Sequence, residues 1–154
     1  MIELVMVIVI LGVVAAGVAT AFRAATDMAA TQAALAAETA ESRRVMATLV
    51  SEIRLVDGGV SFAQWSAQDC GFDTVRGDSV RFTWSGTPGA PLLAKYDTQV
   101  DTLSRSVDSL AFAYLDTLRN PAASADRIST VSVYLRLSRS GAQLAQRNVV
   151  YVRN

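Results

Sequence analysis

Apolar positions run unbroken at one end of the chain and alternate with polar ones at the other. From Leu4 to Phe22 the sequence reads LVMVIVILGVVAAGVATAF, with Thr20 its only polar residue. As a helix this run spans roughly 28 Å, close to the hydrocarbon core of a bilayer at about 30 Å. A cleaved signal peptide needs a basic segment ahead of a shorter apolar stretch, and no Lys or Arg precedes Leu4. A buried core helix is disfavoured by size, because the remaining chain is too small to wrap a helix that is apolar on every face.

Nothing stops the helix at Phe22. After Gly17 the next glycine is Gly58, and the first proline is Pro88. The stretch between is mainly Ala, Leu, Met, Glu, Arg and Gln, all strong helix formers. Met46, Leu49, Ile53 and Val56 recur at spacings of three and four, with Val50 broadening the stripe. Glu41, Arg43, Arg44, Glu52 and Arg54 fall mostly outside it. Asp57-Gly58-Gly59 is a stop signal, since glycine takes the left-handed conformation at a helix C-terminus. The pattern predicts one helix from near Ile2 to about Val56, roughly 80 Å long.

After Gly59 the period becomes two. Val80, Phe82 and Trp84 alternate with Arg81, Thr83 and Ser85; Leu110, Phe112 and Tyr114 with small residues; Val131, Val133, Leu135 and Leu137 with Ser132, Tyr134, Arg136 and Ser138. This is the pattern of half-buried strands. Residues 85–91 read as a loop, Ser140-Gly141 as a turn into a last strand over about Leu144–Val152, and Asn120–Asp126 as a surface loop. The stretch from Val60 to Gly77 has no clear period, although Phe62, Trp65 and Phe72 point to an extra strand or a packed loop. A sheet with one apolar face needs a cover, and the helical stripe ending at Val56 supplies it. The expected fold class is therefore α+β. One long N-terminal helix, transmembrane in its first half (1–22) and amphipathic in its second (23–56), packs on a small antiparallel sheet of about four to six strands within a β-rich head (57–154).

Composition narrows the chemistry. Of the 154 residues, 51% are hydrophobic and 18% charged; the mean hydropathy is +0.30. That is too apolar for a disordered chain. Fourteen basic and fourteen acidic residues cancel, so no nucleic-acid footprint is visible. The absence of histidine removes His-based acid–base catalysis, Ser-His-Asp triads and His metal sites. A lone cysteine, Cys70, excludes an intrachain disulfide and a Cys-cluster metal site. No nucleophile elbow, P-loop or dinucleotide fingerprint is present. The expectation is a non-enzyme.

Glu3 is out of place beside Ile2 and Leu4. A carboxylate in a spanning helix costs on the order of 2.5–3.5 kcal/mol when central and less near an end. It is either a first-turn acid favoured by the helix dipole or lying among headgroups, or a charge awaiting a cationic partner on another chain. Ile2-Glu3-Leu4-Val5 followed by Met6, Val7, Val9, Leu11 and Gly12 resembles the N-terminal signature of type IV pilins and type II secretion pseudopilins. The resemblance covers residues 1 to about 25 closely and the layout of the chain loosely. It implies a leader removed by a leader peptidase, methylation of the new N-terminal amine, and helices packed into a filament core. Glu3 would be the assembly residue facing a neighbour's amine, with Leu4, Val7, Ile8 and Leu11 as helix-packing positions. Met1 stands where the family has leucine, so the start codon is expected to have been assigned too late, or the chain truncated. Upstream DNA should then encode a Lys/Arg-rich leader ending in Gly-Phe-Thr.

A weaker resemblance lies in Ser106–Asp116 and Val131–Leu137, which are similar to paired strands of J-type minor pseudopilins and W-type minor pilins. Leu49–Arg54 also fits. It implies a scarce subunit at or near a filament tip that primes or caps assembly, in a pilus or in protein transport by a type II secretion system. The partners would be other pilin or pseudopilin subunits and an inner-membrane assembly platform. The localisation would be the bacterial inner membrane, single pass with the head in the periplasm, and later the filament. The alternative is a single-pass anchored periplasmic domain that binds a ligand or protein. No cofactor is expected. Weak calcium candidates are Asp69, Asp73 and Asp78, with Asp116, Asn120 and Asp126 as a second set, against the commoner role of loop aspartates as turn formers. Cys70 reads as a buried small apolar residue or an idle thiol, with an intermolecular disulfide as the other option. Arg136, Arg147 and Arg153 read as an outer strand face that keeps an edge soluble.

Overall fold

The computed structural model describes residues 2–57, 62–139 and 142–152. One helix, α1 (Ile2–Ile53), is followed by strands β1 (Phe62–Trp65), β2 (Asp69–Asp73), β3 (Ser79–Thr83), β4 (Leu92–Tyr96), β5 (Gln99–Ser104) and β6 (Val107–Leu115). A 3-10 turn (Ala125–Arg127) then leads to β7 (Thr130–Arg139) and β8 (Ala142–Tyr151). The fold is α+β, with the long N-terminal helix packed against antiparallel sheets. The chain divides into two compact units, Met1–Ala36 and Ala37–Asn154.

The helix ends three residues before the expected Val56. Leu55 N donates to Glu52 O and Val56 N to Ile53 O, tightening the last turn. Val56 then bridges Thr74, and Val75 N donates to Leu55 O at 2.8 Å. Pairing with the sheet takes over the chain at this point; Gly58 and Gly59 of the expected stop signal lie outside the described residues. So do Met1, Ser140, Gly141 and Arg153.

The strands form two sheets rather than one, ordered β1-β2-β3-β4-β5 and β6-β7-β8. The eight strands among the described residues exceed the expected four to six, and the aperiodic stretch supplies two of them. Cys70, Gly71 and Phe72 are buried in succession, which erases alternation. A Cβ on Gly71 would meet Arg81 Cγ and Gln64 Cβ, both at 3.4 Å, so the bare glycine lets the Arg81 stem lie across β2. In the expected surface loop Ala122 is buried, held by Ala122 N donating to Tyr114 O and by the Pro121–Leu115 bridge.

The core of the second unit joins the C-terminal part of α1 to both sheets. Leu49 and Ile53 are fully buried, with Val45, Met46 and Val50 nearly so. They meet Phe72, Val80, Phe82 and Leu92 of one sheet and Val107, Val131, Val133 and Leu135 of the other in one cluster. Phe62 lies edge-on to Phe72 and to Tyr114, with ring centroids 6.0 and 5.8 Å apart, which ties the two sheets together.

Candidate functional site

The first unit is a helix whose side chains are exposed almost throughout. Its large apolar residues from Ile2 to Phe22 are 54–79% exposed, and no part of its most apolar stretch is buried. A contiguous apolar surface of this size marks a membrane or protein contact. The helix is long and apolar enough to cross a bilayer, and its backbone hydrogen bonds are closed internally, as lipid requires. Thr20 fits the same demand: its hydroxyl donates to Gly17 O at 2.8 Å, so no polar side-chain donor is left facing outward there.

Glu3 lies exposed in the first turn, the acidic residue of that turn. The next charged residue along the helix is Arg23, roughly 30 Å away at 1.5 Å per residue. No intrahelical cation can therefore reach the Glu3 carboxylate. Leu4, Val7, Ile8 and Leu11 share one helical stripe and are 69, 54, 61 and 62% exposed. Their neighbours Met6, Val9 and Ile10 are exposed to the same degree, so the helix offers an apolar surface all round.

Asp69 opens β2 and Asp73 closes it, roughly 13 Å apart along the strand, whereas ligands of one calcium ion each lie about 2.3–2.6 Å from it. The Asp69 carboxylate is taken by an ion pair with Arg81, whose Nε donates to Oδ1 at 3.0 Å. In the second set, Asp116 Oδ1 accepts from the backbone N of Leu118 and Asn120 at 2.9 and 2.8 Å, a turn-forming role. Among the described residues no three His, Cys, Asp or Glu side chains converge.

Cys70 is fully buried, and burial pushes its thiol up to about 12, the Tyr114 hydrogen bond pulling weakly the other way. Burial also raises the Tyr114 phenol, and the neighbouring Cys70 adds to it. Both folded values lie above the unfolded ones, so the stability tied to them is intact below pH 9.0, the ordinary thiol value, and is lost as pH rises towards 12. The denaturant midpoint of the full chain should stay level from neutral pH to about 9 and fall above it, less steeply in Cys70→Ala. A midpoint unchanged up to pH 11 would contradict this. A thiol so placed is also a poor nucleophile.

Arg136 pairs with Asp108, and Arg147 Nε donates to Ser132 Oγ at 3.1 Å. Two further polar features lie on α1. Glu41 accepts from the hydroxyls of Ser104 at 2.7 Å and Ser106 at 3.2 Å. With Arg44, whose Nη2 donates to Leu103 O, it lines an open groove of about 920 Å³. Glu38 is only 2% exposed, and neither of its carboxylate oxygens has a hydrogen-bond partner among the described residues; the buried Ser42 hydroxyl one turn on has none either. Extending the Met46–Leu49–Ile53 stripe backwards at its own spacing reaches Ser42 and Glu38, so the sequence held the signal. A buried carboxyl group without a hydrogen-bond donor is destabilising. Glu38→Leu should therefore raise unfolding stability by about 1–4 kcal/mol in chemical denaturation, and a loss of stability would show that the carboxylate is satisfied.

No model of a known protein family matches the chain, and no curated protein matches it.

Proposed function

We propose that the chain is a structural, non-enzymatic subunit of the pilin–pseudopilin kind, held in the inner membrane by its apolar helix until it joins, primes or caps a filament. The observation that carries this reading is the exposed apolar surface of residues 2–22 with a single carboxylate, Glu3, at its start. In lipid such a surface is satisfied by acyl chains. In a filament it is satisfied by sister helices, and transfer costs little because the two surroundings are similarly apolar. The Glu3 charge then decides the balance: it has no partner within its own helix and gains one in the N-terminal amine of a neighbour, which favours association and fixes its register.

Glu3→Ala should leave the chain inserted in membranes but lower its incorporation into sedimentable filaments by about tenfold or more, the worth of a charge-assisted hydrogen bond. Immunoblots of membrane and filament fractions measure both quantities, and wild-type incorporation of the variant would count against the mechanism. A second reading, a single-pass anchored binding domain, draws on the groove beside Glu41 and Arg44. Neighbouring genes separate the two: other prepilin-like frames, an assembly ATPase or a leader peptidase favour the first.

A further inference from the structure

Strand β8 forms an edge of the three-stranded sheet. It is ten residues long and pairs with β7 without a register break from Thr130↔Tyr151 to Arg139↔Ala142. Natural edges are blunted by proline, bulges, shortness or several charges. This one has no proline and no bulge, and Arg147 is its one charged residue.

The direction of its free backbone groups follows from the ladder. Val152 N donates to Ser129 O at 2.9 Å, one residue past the Tyr151↔Thr130 pair. Antiparallel pairs alternate between bonded and non-bonded, so Val150, Asn148, Gln146 and Leu144 turn their N–H groups towards β7. Ala145, Arg147, Val149 and Tyr151 turn theirs outward. Val149 confirms the phase, since its N–H donates instead to Asn148 Oδ1 at 2.8 Å. The outward N–H groups of Ala145, Arg147 and Tyr151 have no acceptor among the described residues. The same alternate positions expose their side chains: Val149 is 45% and Tyr151 69% exposed. Arg147 lies between these and Ala145, with no carboxylate partner among the described residues.

We infer that β8 is a docking edge that accepts an extended strand from another protein, with an acidic residue opposite Arg147 and apolar residues opposite Val149 and Tyr151. Backbone hydrogen bonds would supply the affinity and alternate side chains the selectivity. A second copy of this chain fits less well. Two β8 strands paired about a two-fold axis set Arg147 against another Arg147 or against uncharged residues of β8, and never against a carboxylate. The inference concerns the second unit alone and stands whether or not the N-terminal helix enters a filament.

The test uses the full chain in detergent micelles and two synthetic ten-residue peptides of alternating Val and Thr, one with a central Glu and one with a central Lys. The Glu peptide should slow amide exchange at Ala145, Arg147 and Tyr151 and bind about tenfold more tightly than the Lys peptide. Ala145→Pro removes an outward donor without touching the β7 ladder, as an edge strand tolerates, and should abolish binding with the fold retained by circular dichroism. Arg147→Glu should reverse the peptide preference. The inference is overturned by unprotected edge amides, by equal binding of both peptides, by binding that survives Ala145→Pro, or by self-association of the chain through β8 in place of peptide binding.

Discussion

Val9→Arg combined with Val13→Arg should keep the helix from entering a membrane. Both residues sit near the middle of the Leu4–Phe22 run, on one face of α1, and are 58% and 69% exposed. At a bilayer centre each arginine costs about 2.5–3.5 kcal/mol on insertion scales, so the pair costs about 5–7 kcal/mol. Thr20 does not offset this, because its hydroxyl is already bound to Gly17 O. The variant should move from the carbonate-resistant pellet to the soluble or degraded fraction. The same two arginines at Met28 and Thr31, beyond the apolar run, should leave the distribution unchanged. A double variant that still resists carbonate would show that residues 4–22 do not face lipid.

Leu49→Ala is expected to destabilise the second unit by about 3 kcal/mol. Leu49 is fully buried at the centre of the helical stripe, within the cluster that also holds Phe82 and Leu135. Truncation loses the transfer energy of the side chain and leaves a cavity that a helix fixed by Val45 and Ile53 cannot close. A unit of this size should melt roughly 10 °C lower. Arg43→Ala, exposed at the flank of the same helix, should change stability by no more than about 0.5 kcal/mol. Thermal unfolding followed by circular dichroism compares the two, and equal effects would mean that the stripe does not anchor the helix.

Elements with one buried face could be read directly from the sequence. Val131, Val133, Leu135 and Leu137 are all fully buried, and the alternation that announced them is the alternation of the strand. The helical stripe was legible for the same reason, since the part of α1 in the second unit buries one side only. β1 and β2 were legible only as an extra strand or a packed loop around Phe62, Trp65 and Phe72. In β2, Cys70 and Phe72 point into the core while Gly71 is covered by Arg81 and Gln64, so burial on both faces leaves no period to find; β1 is exposed beyond Phe62 and has no alternation either. The division into two sheets was hidden because it depends on which edges meet: Phe112 N of β6 bonds to Ala67 O in the β1–β2 turn, a pairing that composition does not encode. Glu3 stood out because it breaks an apolar run. Glu38 did not, because it lies among alanines beyond the last apolar residue of the stripe, and only the stripe's spacing, carried backwards, marks it as buried. Asp69 and Asp73 show the reverse: close in sequence, they are held at opposite ends of the extended strand β2.

We propose that the apolar helix, with its acidic first turn, lies in lipid and then against like helices. A photo-crosslinking residue at Leu11, activated in intact cells, should form adducts with lipid and with other apolar helices, and the helix adducts should decline when Glu3 is replaced by Ala. A chain recovered in the soluble fraction with position 11 linked to neither would contradict it.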